Sequence, residues 1–159
     1  MPAIQLIATS LALLGVGALF GASLYDAVVL APNLRGGQRA LEHGRSFMAN
    51  ATPANLFRVL APLVQLLVLV AVAVNWGSPQ CRWPLAGALL LLVLCDVLTF
   101  RYHYPRLRLM FTEPLAVEPQ RLLAAARQWA GANLIRVALL LGSWLSGLTG
   151  LVRLVHQAH

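Results

Sequence analysis

Charged side chains lie inside apolar stretches of this chain, where a membrane would enclose them. Asp26, Arg58, Asp96 and Arg136 each occur in or at the edge of a long run of mostly apolar residues. An ionisable group in a membrane span is costly unless it is paired or hydrated, and such groups usually mark a functional site. A carboxylate there can accept a proton, and a guanidinium can stabilise a negative charge on a ligand. The four residues therefore predict a polar cavity inside a membrane protein.

Further polar side chains accompany these charges at helical spacing. Thr99 and His103 follow Asp96 by three and seven residues, which puts the three side chains on one face of an unbroken α-helix. The other predicted members of the site are Asn55 beside Arg58, and Trp129 and Asn133 beside Arg136. We expect this set to line one ligand cavity.

The charges lie at similar depth in their spans. Asp26, Asp96 and Arg136 are six or seven residues from the expected span ends, or roughly 10 Å at about 1.5 Å per residue. One interpretation is purely structural, with ion pairs Asp96–Arg136 and Asp26–Arg58 that fasten the bundle. Polar contacts between membrane helices average only about 0.6 kcal/mol, whereas a charge at the centre of a span costs about 2.5 to 3.5 kcal/mol. A hydrated, ligand-binding cavity explains the layer better.

Composition indicates one membrane domain without a nucleic-acid function. Of the 159 residues 59% are hydrophobic, and twelve cationic residues oppose five acidic ones. All twelve are arginines, and they concentrate at the ends of the apolar stretches, where anionic lipid headgroups and membrane topology account for them. We expect the lipid bilayer as partner and no nucleic acid.

Four apolar stretches predict four membrane spans, at about residues 4–30, 55–76, 83–103 and 130–152. The predicted fold is an all-α, up-down-up-down four-helix bundle that forms a single transmembrane domain over residues 1–159. Residues 38–48 are amphipathic enough for a short interfacial helix. Pro119 is expected to begin the fourth helix, whose first part, before about residue 130, lies outside the lipid. Small residues predict close helix packing within the bundle, with a dimer interface as the alternative; they are Gly17, Gly21, Gly142, Ser146 and Gly150.

Orientation follows from the distribution of arginines. The loops after spans one and three carry the larger share, namely Arg35, Arg39, Arg45, Arg101, Arg106, Arg108 and Arg121. The opposite side has Arg82 and Arg153. The sequence therefore predicts a multi-pass protein of the cytoplasmic (inner) membrane, with both long loops in the cytoplasm and both termini outside.

Histidines raise the question of a metal. His103 could act as a base oriented by Asp96, and His43, near Glu42 or Glu113, could fold over the mouth of the cavity. The spacings typical of zinc-binding motifs are absent from the sequence, so a metal held by His43 and His103 is the weaker alternative. The sequence assigns no particular cofactor, and we favour a protein without a cofactor over one with a metal.

Three segments resemble a known family. Residues 21–26 (GASLYD) with 31–34 (APNL), then 99–106 (TFRYHYPR), then 129–136 (WAGANLIR) are similar to the anthrone oxygenase-like family of small four-span membrane proteins. Asn133 occupies a position where the family commonly has histidine. The resemblance implies an oxygenase that deprotonates an electron-rich aromatic substrate and holds the resulting carbanion near oxygen. It implies His103 as base, Asp96 as its orienter, and Arg136 and Arg58 as stabilisers of the oxyanion.

The sequence therefore predicts an integral-membrane oxidoreductase that acts on a hydrophobic aromatic or quinone-like small molecule entering from lipid. Catalytic roles are expected for His103, Asp96 and Arg136. Substrate binding is expected for Asp26, Asn55, Arg58, Thr99, Trp129 and Asn133. The alternatives are a non-enzymatic binding or transport module for a small anion or lipid, and an accessory subunit whose polar face docks a partner helix.

Overall fold

The structure, a computed structural model, describes residues 2–111 and 118–157. This part of the chain forms seven α-helices and two short π-helical segments, with no strand. The α-helices are Pro2–Tyr25 (α1), Ala31–Leu34 (α2), Gln38–Phe47 (α3), Pro53–Val74 (α4), Pro79–Leu98 (α5), Tyr104–Phe111 (α6) and Pro119–Gln157 (α7). The first π segment, Asp26–Leu30, joins α1 to α2, and the second, Thr99–His103, joins α5 to α6. The all-α fold class is confirmed.

Four helical segments of the described chain are long and apolar enough to cross a membrane. They are Ala3–Leu34, Pro53–Val74, Pro79–Phe111 and Pro119–Gln157, here called spans one to four. All four predicted spans are present, and helix α7 begins at Pro119 as expected. Span three exceeds its predicted limits at both ends, because the helix starts at Pro79 and continues through the second π segment to Phe111. A proline is well tolerated in the first turn of a helix, where its missing N–H would have had no partner.

The spans form a simple up-down-up-down bundle. Each packs against its neighbours in the sequence, and span one closes the ring against span four. Packing is closest between spans three and four and loosest between spans two and three. This unequal packing matters for function, because a gap between two spans gives access to the interior.

The outward faces of the bundle are as apolar as its core. Buried Val64, Leu85 and Leu140 belong to the central core, yet Leu14 and Val59 are each 70% exposed. A helix that is hydrophobic all round needs an apolar surrounding. Together with the lengths of the four spans, these exposed side chains identify a multi-pass helical membrane protein.

Helix α3 lies at the end of the bundle that carries the long loops, here called the arginine-rich end. It occupies Gln38–Phe47, which confirms a helix in the predicted segment 38–48; its place at the membrane interface stays a prediction. Arg45 Nε donates a hydrogen bond to the backbone carbonyl of Met110, and Leu41 is buried in a second apolar cluster with Met110 and Trp129. This cluster fixes α3 to spans three and four.

The opposite end of the bundle, here called the short-turn end, is closed by direct contacts. Ser78 Oγ donates a hydrogen bond to Gln157 Oε1 at 3.0 Å, and Arg153 Nη1 donates one to the Gln80 carbonyl at 3.1 Å. The turn between spans two and three, at residues 75–78, is thus fastened to the end of span four.

Small residues allow close contacts between spans, as predicted, with one exception. The close contacts are Gly17 with Trp144, Gly142 with Leu91, Ser146 with Pro84 and Gly150 with Leu85. At Gly21 an added Cβ would meet nothing within 4 Å. The prediction was wrong for Gly21, because this glycine lies on an exposed face of span one.

Candidate functional site

A buried ion pair joins spans one and four. Arg136 Nη2 donates a hydrogen bond to Asp26 Oδ2 at 2.6 Å, and these residues are only 4% and 3% exposed. The pairs considered from the sequence, Asp96–Arg136 and Asp26–Arg58, were wrong. Neighbour order does not distinguish the two carboxylates, since span four packs on both span one and span three; Asp96 is hydrogen-bonded to Gln65 of span two instead.

The Arg136 guanidinium also packs on an aromatic ring of span two. Its Cζ lies 4.4 Å from the centroid of the Phe57 ring, in a cation–π arrangement. One face of the cation is therefore covered by Phe57, while its Nη2 contacts Asp26. The Nε atom has no hydrogen-bond partner within the described chain.

His103 and Trp129 meet at the same level. Their rings pack edge to face with centroids 6.3 Å apart, and they are 0% and 2% exposed. Neither ring nitrogen of His103 and neither side-chain polar atom of Asn133 has a hydrogen-bond partner among the residues the structure describes, and the same is true of Trp129 Nε1. Buried polar atoms are normally bonded to protein or to ordered water.

A small cavity lies beside these unsatisfied atoms. It has a volume of about 10 Å³ and is here called the inner cavity. Its lining includes Asp26, Thr99, His103, Trp129 and Arg136. A cavity of about 10 to 15 Å³ holds one water molecule, so the inner cavity is suited to a single water among hydrogen-bonding groups.

The two π segments position side chains of this cluster. Asp26 is the first residue of one segment and His103 the last residue of the other. In each segment a backbone N–H bonds to the carbonyl five residues earlier, from Ala31 to Asp26 and from Tyr104 to Thr99. The extra residue in the turn changes which face the following side chains occupy. Such π turns inside α-helices are frequent at functional sites.

The larger cavity of the site lies in the gap between spans two and three. It has a volume of about 260 Å³ and is here called the lateral pocket. Its polar lining comprises Arg58, Gln65, Cys95, Asp96, Thr99 and Arg136, and its apolar lining includes Leu19, Phe57, Pro62, Phe100, Tyr104 and Leu140. Phe57, Thr99, Tyr104 and Arg136 also line the inner cavity and form the wall between the two.

Asp96 is the carboxylate of the lateral pocket. Gln65 Nε2 donates a hydrogen bond to Asp96 Oδ2 at 2.5 Å, from span two to span three. Within the described residues, no hydrogen bond occupies Oδ1 of this half-buried side chain. One carboxylate oxygen is thus fixed by the glutamine while the other can contact a ligand.

Pro62 helps to shape the pocket wall. It lies inside helix α4 and lines the pocket. Because proline has no N–H, the carbonyl of Arg58, four residues earlier, loses its helical partner. The proline thus weakens the helix beside the pocket and leaves a backbone acceptor at Arg58.

Several predicted residues are brought together, although in two groups. The lateral pocket contains Asp96, Arg58, Thr99 and Arg136, and the inner cavity contains Asp26, His103, Trp129, Thr99 and Arg136. Asn133 is fully buried near Trp129 on span four but lines neither cavity.

Asn55 does not lie in either cavity. Its side chain is exposed, and its Oδ1 accepts hydrogen bonds from the backbone N–H and the hydroxyl of Thr52, at 3.2 and 3.0 Å. Asn55 therefore belongs to the capping box of helix α4, in which Thr52 is the N-cap residue.

His103 and Asp96 are not in contact in the described structure. The Asp96 carboxylate bonds to Gln65, whereas the His103 ring nitrogens have no partner. Their seven-residue spacing predicted a common helix face, but the second π segment lies between them and turns His103 away from that face. The expectation that Asp96 orients His103 was wrong for this reason.

Within the part of the chain that the structure describes, no metal site is assembled around the histidines. The exposed His43 donates a hydrogen bond from Nδ1 to the Arg39 carbonyl at 2.7 Å and lies in a separate groove between span one and α3. Glu113, one of its two expected neighbours, is outside the described residues. Among residues 2–111 and 118–157, no three His, Cys, Asp or Glu side chains lie close enough to hold a metal ion.

Some members of the site were not singled out from the sequence. Phe57 and Tyr104 belong to the wall between the cavities. Phe57 and Tyr104 adjoin predicted residues in the sequence, which was the available signal. No sequence signal indicated the two π segments.

Fold and site together define a class: a four-span helical membrane protein with a polar, laterally placed pocket. Comparison of the chain with family models, curated proteins and solved structures finds no match. The resemblance to the anthrone oxygenase-like family therefore stays a prediction.

Proposed function

We propose that this protein is an integral-membrane, oxygenase-like oxidoreductase that binds a hydrophobic aromatic or quinone-like molecule in the lateral pocket. The observation that supports the proposal is the lining of this pocket. One carboxylate, Asp96, and two guanidinium groups, Arg58 and Arg136, share a mostly apolar space of about 260 Å³. Small-molecule sites likewise have apolar walls and a few placed polar groups; their volumes are about 300 to 1,000 Å³, so the lateral pocket lies just below the lower limit.

The position of the pocket suits a ligand that arrives through lipid. It lies between spans two and three, which pack least closely, and Pro62 and Phe100 on its lining are exposed on the bundle surface. A hydrophobic molecule can therefore enter from the membrane. The rings of Phe57, Phe100 and Tyr104 offer it stacking partners.

The polar groups suit deprotonation of such a ligand. Asp96 Oδ1 is placed to accept a proton from an acidic C–H or O–H group. Arg58 and Arg136 supply positive charge for the oxyanion that forms, in a pocket with a mostly apolar lining. In this assignment Asp96 takes the role of base that the resemblance gave to His103, because His103 lies on the inner cavity.

The reaction balances with dioxygen as the oxidant. For an anthrone, the substrate that the resemblance implies, the ring methylene loses both hydrogens. One atom of O₂ becomes the new carbonyl oxygen and the other leaves as water. Asp96 accepts the first proton and returns it to the departing oxygen.

The test uses purified protein in detergent with anthrone under air. We expect oxygen uptake and quinone absorbance above the rate without protein, and we expect Asp96→Asn to lower turnover by at least about 100-fold. Glu42→Gln is the matched control, because Glu42 is an exposed carboxylate on α3 that bonds only to Gln38 in the described chain. A rate above background that Asp96→Asn leaves unchanged contradicts the assignment. Folded wild-type protein that does not accelerate the reaction contradicts the proposed activity.

A further inference from the structure

A third cavity adjoins the lateral pocket at the arginine-rich end. It has a volume of about 640 Å³ and is here called the vestibule. Spans two and three line it with Thr52, Ala54, Arg58, Phe100, Tyr104, Pro105, Leu107, Arg108 and Phe111. Arg58, Phe100 and Tyr104 line the lateral pocket as well, so the two cavities share a boundary.

Among the described residues, the charged side chains that line the vestibule are both cationic. Arg58 comes from span two and Arg108 from span three. Of the described carboxylates, Asp26 bonds to Arg136, Asp96 to Gln65 and Glu42 to Gln38, and Glu118 is not part of the lining. Two guanidinium groups from facing helices are the usual partners of a carboxylate or phosphate.

Neighbouring groups add to this preference. The Tyr104 hydroxyl is a further potential donor in the lining, and helix α4 begins at the cavity, since Thr52 and Ala54 line it. The start of a helix carries partial positive charge. The vestibule is therefore complementary to an anionic group, while the lateral pocket beyond it is mostly apolar.

We infer that the natural ligand is an aromatic acid, with its ring system in the lateral pocket and its carboxylate in the vestibule between Arg58 and Arg108. The inference rests on the proposed function, since it extends the ligand already assigned to the lateral pocket. It defines the ligand as amphipathic, with the charged group toward the arginine-rich end. Arg58 lies at the boundary and contacts the ligand near the junction of its two parts.

The experiment compares two probes that differ in one charge. Anthraquinone-2-carboxylate and its methyl ester are titrated into the purified full-length protein in a nonionic detergent, with tryptophan fluorescence as the readout. We expect the carboxylate to bind at least about tenfold more tightly than the ester, because a hydrogen-bonded ion pair is lost with the charge. We expect this ratio to fall to about one in Arg108→Gln, with the affinity for the ester unchanged.

Arg101→Gln is the matched control. Arg101 is an exposed arginine of the same span that lines neither the vestibule nor the lateral pocket. We expect this variant to keep the wild-type ratio, whereas general loss of surface charge would lower it in both variants.

The possible results separate the inference from the proposed function. Equal binding of both probes to wild-type protein, or a ratio that Arg108→Gln leaves intact, overturns the inference and leaves the aromatic pocket standing. Failure of both probes to bind the folded protein overturns both. Competition by phosphatidylglycerol against the carboxylate but not against the ester would assign the vestibule to a lipid headgroup and also overturn the inference.

Discussion

Arg136 and Asp26 form an ion pair within the membrane, with 2.6 Å between Nη2 and Oδ2, at the contact between spans one and four. Both side chains are almost fully buried. Arg136 also lines the lateral pocket and the inner cavity. The pair thus fixes a cation at the wall between the two cavities, where a ligand could use its charge.

Breaking this pair should destabilise the bundle. Asp26→Asn or Arg136→Gln leaves a buried charge without its partner, which costs about 3 to 5 kcal/mol. The double variant should lose less than the sum of the two single changes. Reversible unfolding in detergent measures the three free energies, with Glu42→Gln as the exposed control. Additive losses would show that the pair contributes no coupling.

Replacing His103 should affect stability more than ligand binding. The ring lines the inner cavity and lies outside the lateral pocket, so His103→Leu should leave the affinity for anthraquinone within about twofold and retain turnover of anthrone. The leucine also removes two buried polar atoms without a partner in the described chain and should be nearly neutral for stability. His103→Ala leaves a cavity and should cost about 2 to 5 kcal/mol.

Binding titration, turnover and thermal unfolding of both variants check this prediction. Loss of turnover in His103→Leu with unchanged binding would restore the role of base that the family resemblance implies. That result would count against Asp96 as the base.

Two glycines of span one should respond oppositely to alanine. A Cβ at Gly15 would lie 2.9 Å from Val64 Cγ2, and Val64 is fully buried, so Gly15→Ala should destabilise by about 1 to 3 kcal/mol. Gly21 has open space, and Gly21→Ala should leave stability unchanged or raise it by up to about 1 kcal/mol, because alanine favours helix. Unfolding in detergent compares the two. A larger loss at Gly21 than at Gly15 would point to an interface that covers this face of span one.

The distribution of arginines predicts the orientation in the membrane. Because arginine-rich loops are retained in the cytoplasm, a C-terminal alkaline phosphatase fusion should be active and a C-terminal green fluorescent protein fusion should be dark in a bacterial host. Fusions in the loop after span three should give the reverse. The opposite pattern would place both termini inside.

Local sequence signals predicted the spans and the depth of the polar layer but not its pairing. Each span was visible as an apolar run, and the charges of Asp26, Asp96 and Arg136 fixed their approximate depth. Two carboxylates at similar positions, Asp26 and Asp96, were both consistent with the sequence as partners of Arg136, and span four packs on the spans that carry each of them. In the structure Arg136 bonds to Asp26 while Gln65 of span two bonds to Asp96, and neither contact has a signal in the local sequence.

Spacing arguments failed where the helix departs from regular geometry. His103 was assigned to the face of Asp96 by counting α-helical turns, and the π segment between them invalidates the count. The local sequence has no residue pattern that marks such a segment. The prediction that Asn55 lines the cavity was wrong for a different reason. Asn55 is close enough to the start of helix α4 to bond with Thr52, and this local contact keeps its side chain out of the cavity.

The fastening of the short-turn end has a mechanical consequence for the lateral pocket. Spans two and three are joined by a tight connection that Gln157 and Arg153 hold in place, while Arg58 lies sixteen residues away from Val74 at the other end of helix α4. At about 1.5 Å per residue the helix extends roughly 24 Å from the connection to Arg58, with Pro62 near its far tip, so a tilt of about 5° about the connection would move that tip by about 2 Å. Such a tilt would separate spans two and three at the arginine-rich end and admit a flat molecule, while the short-turn end stays closed.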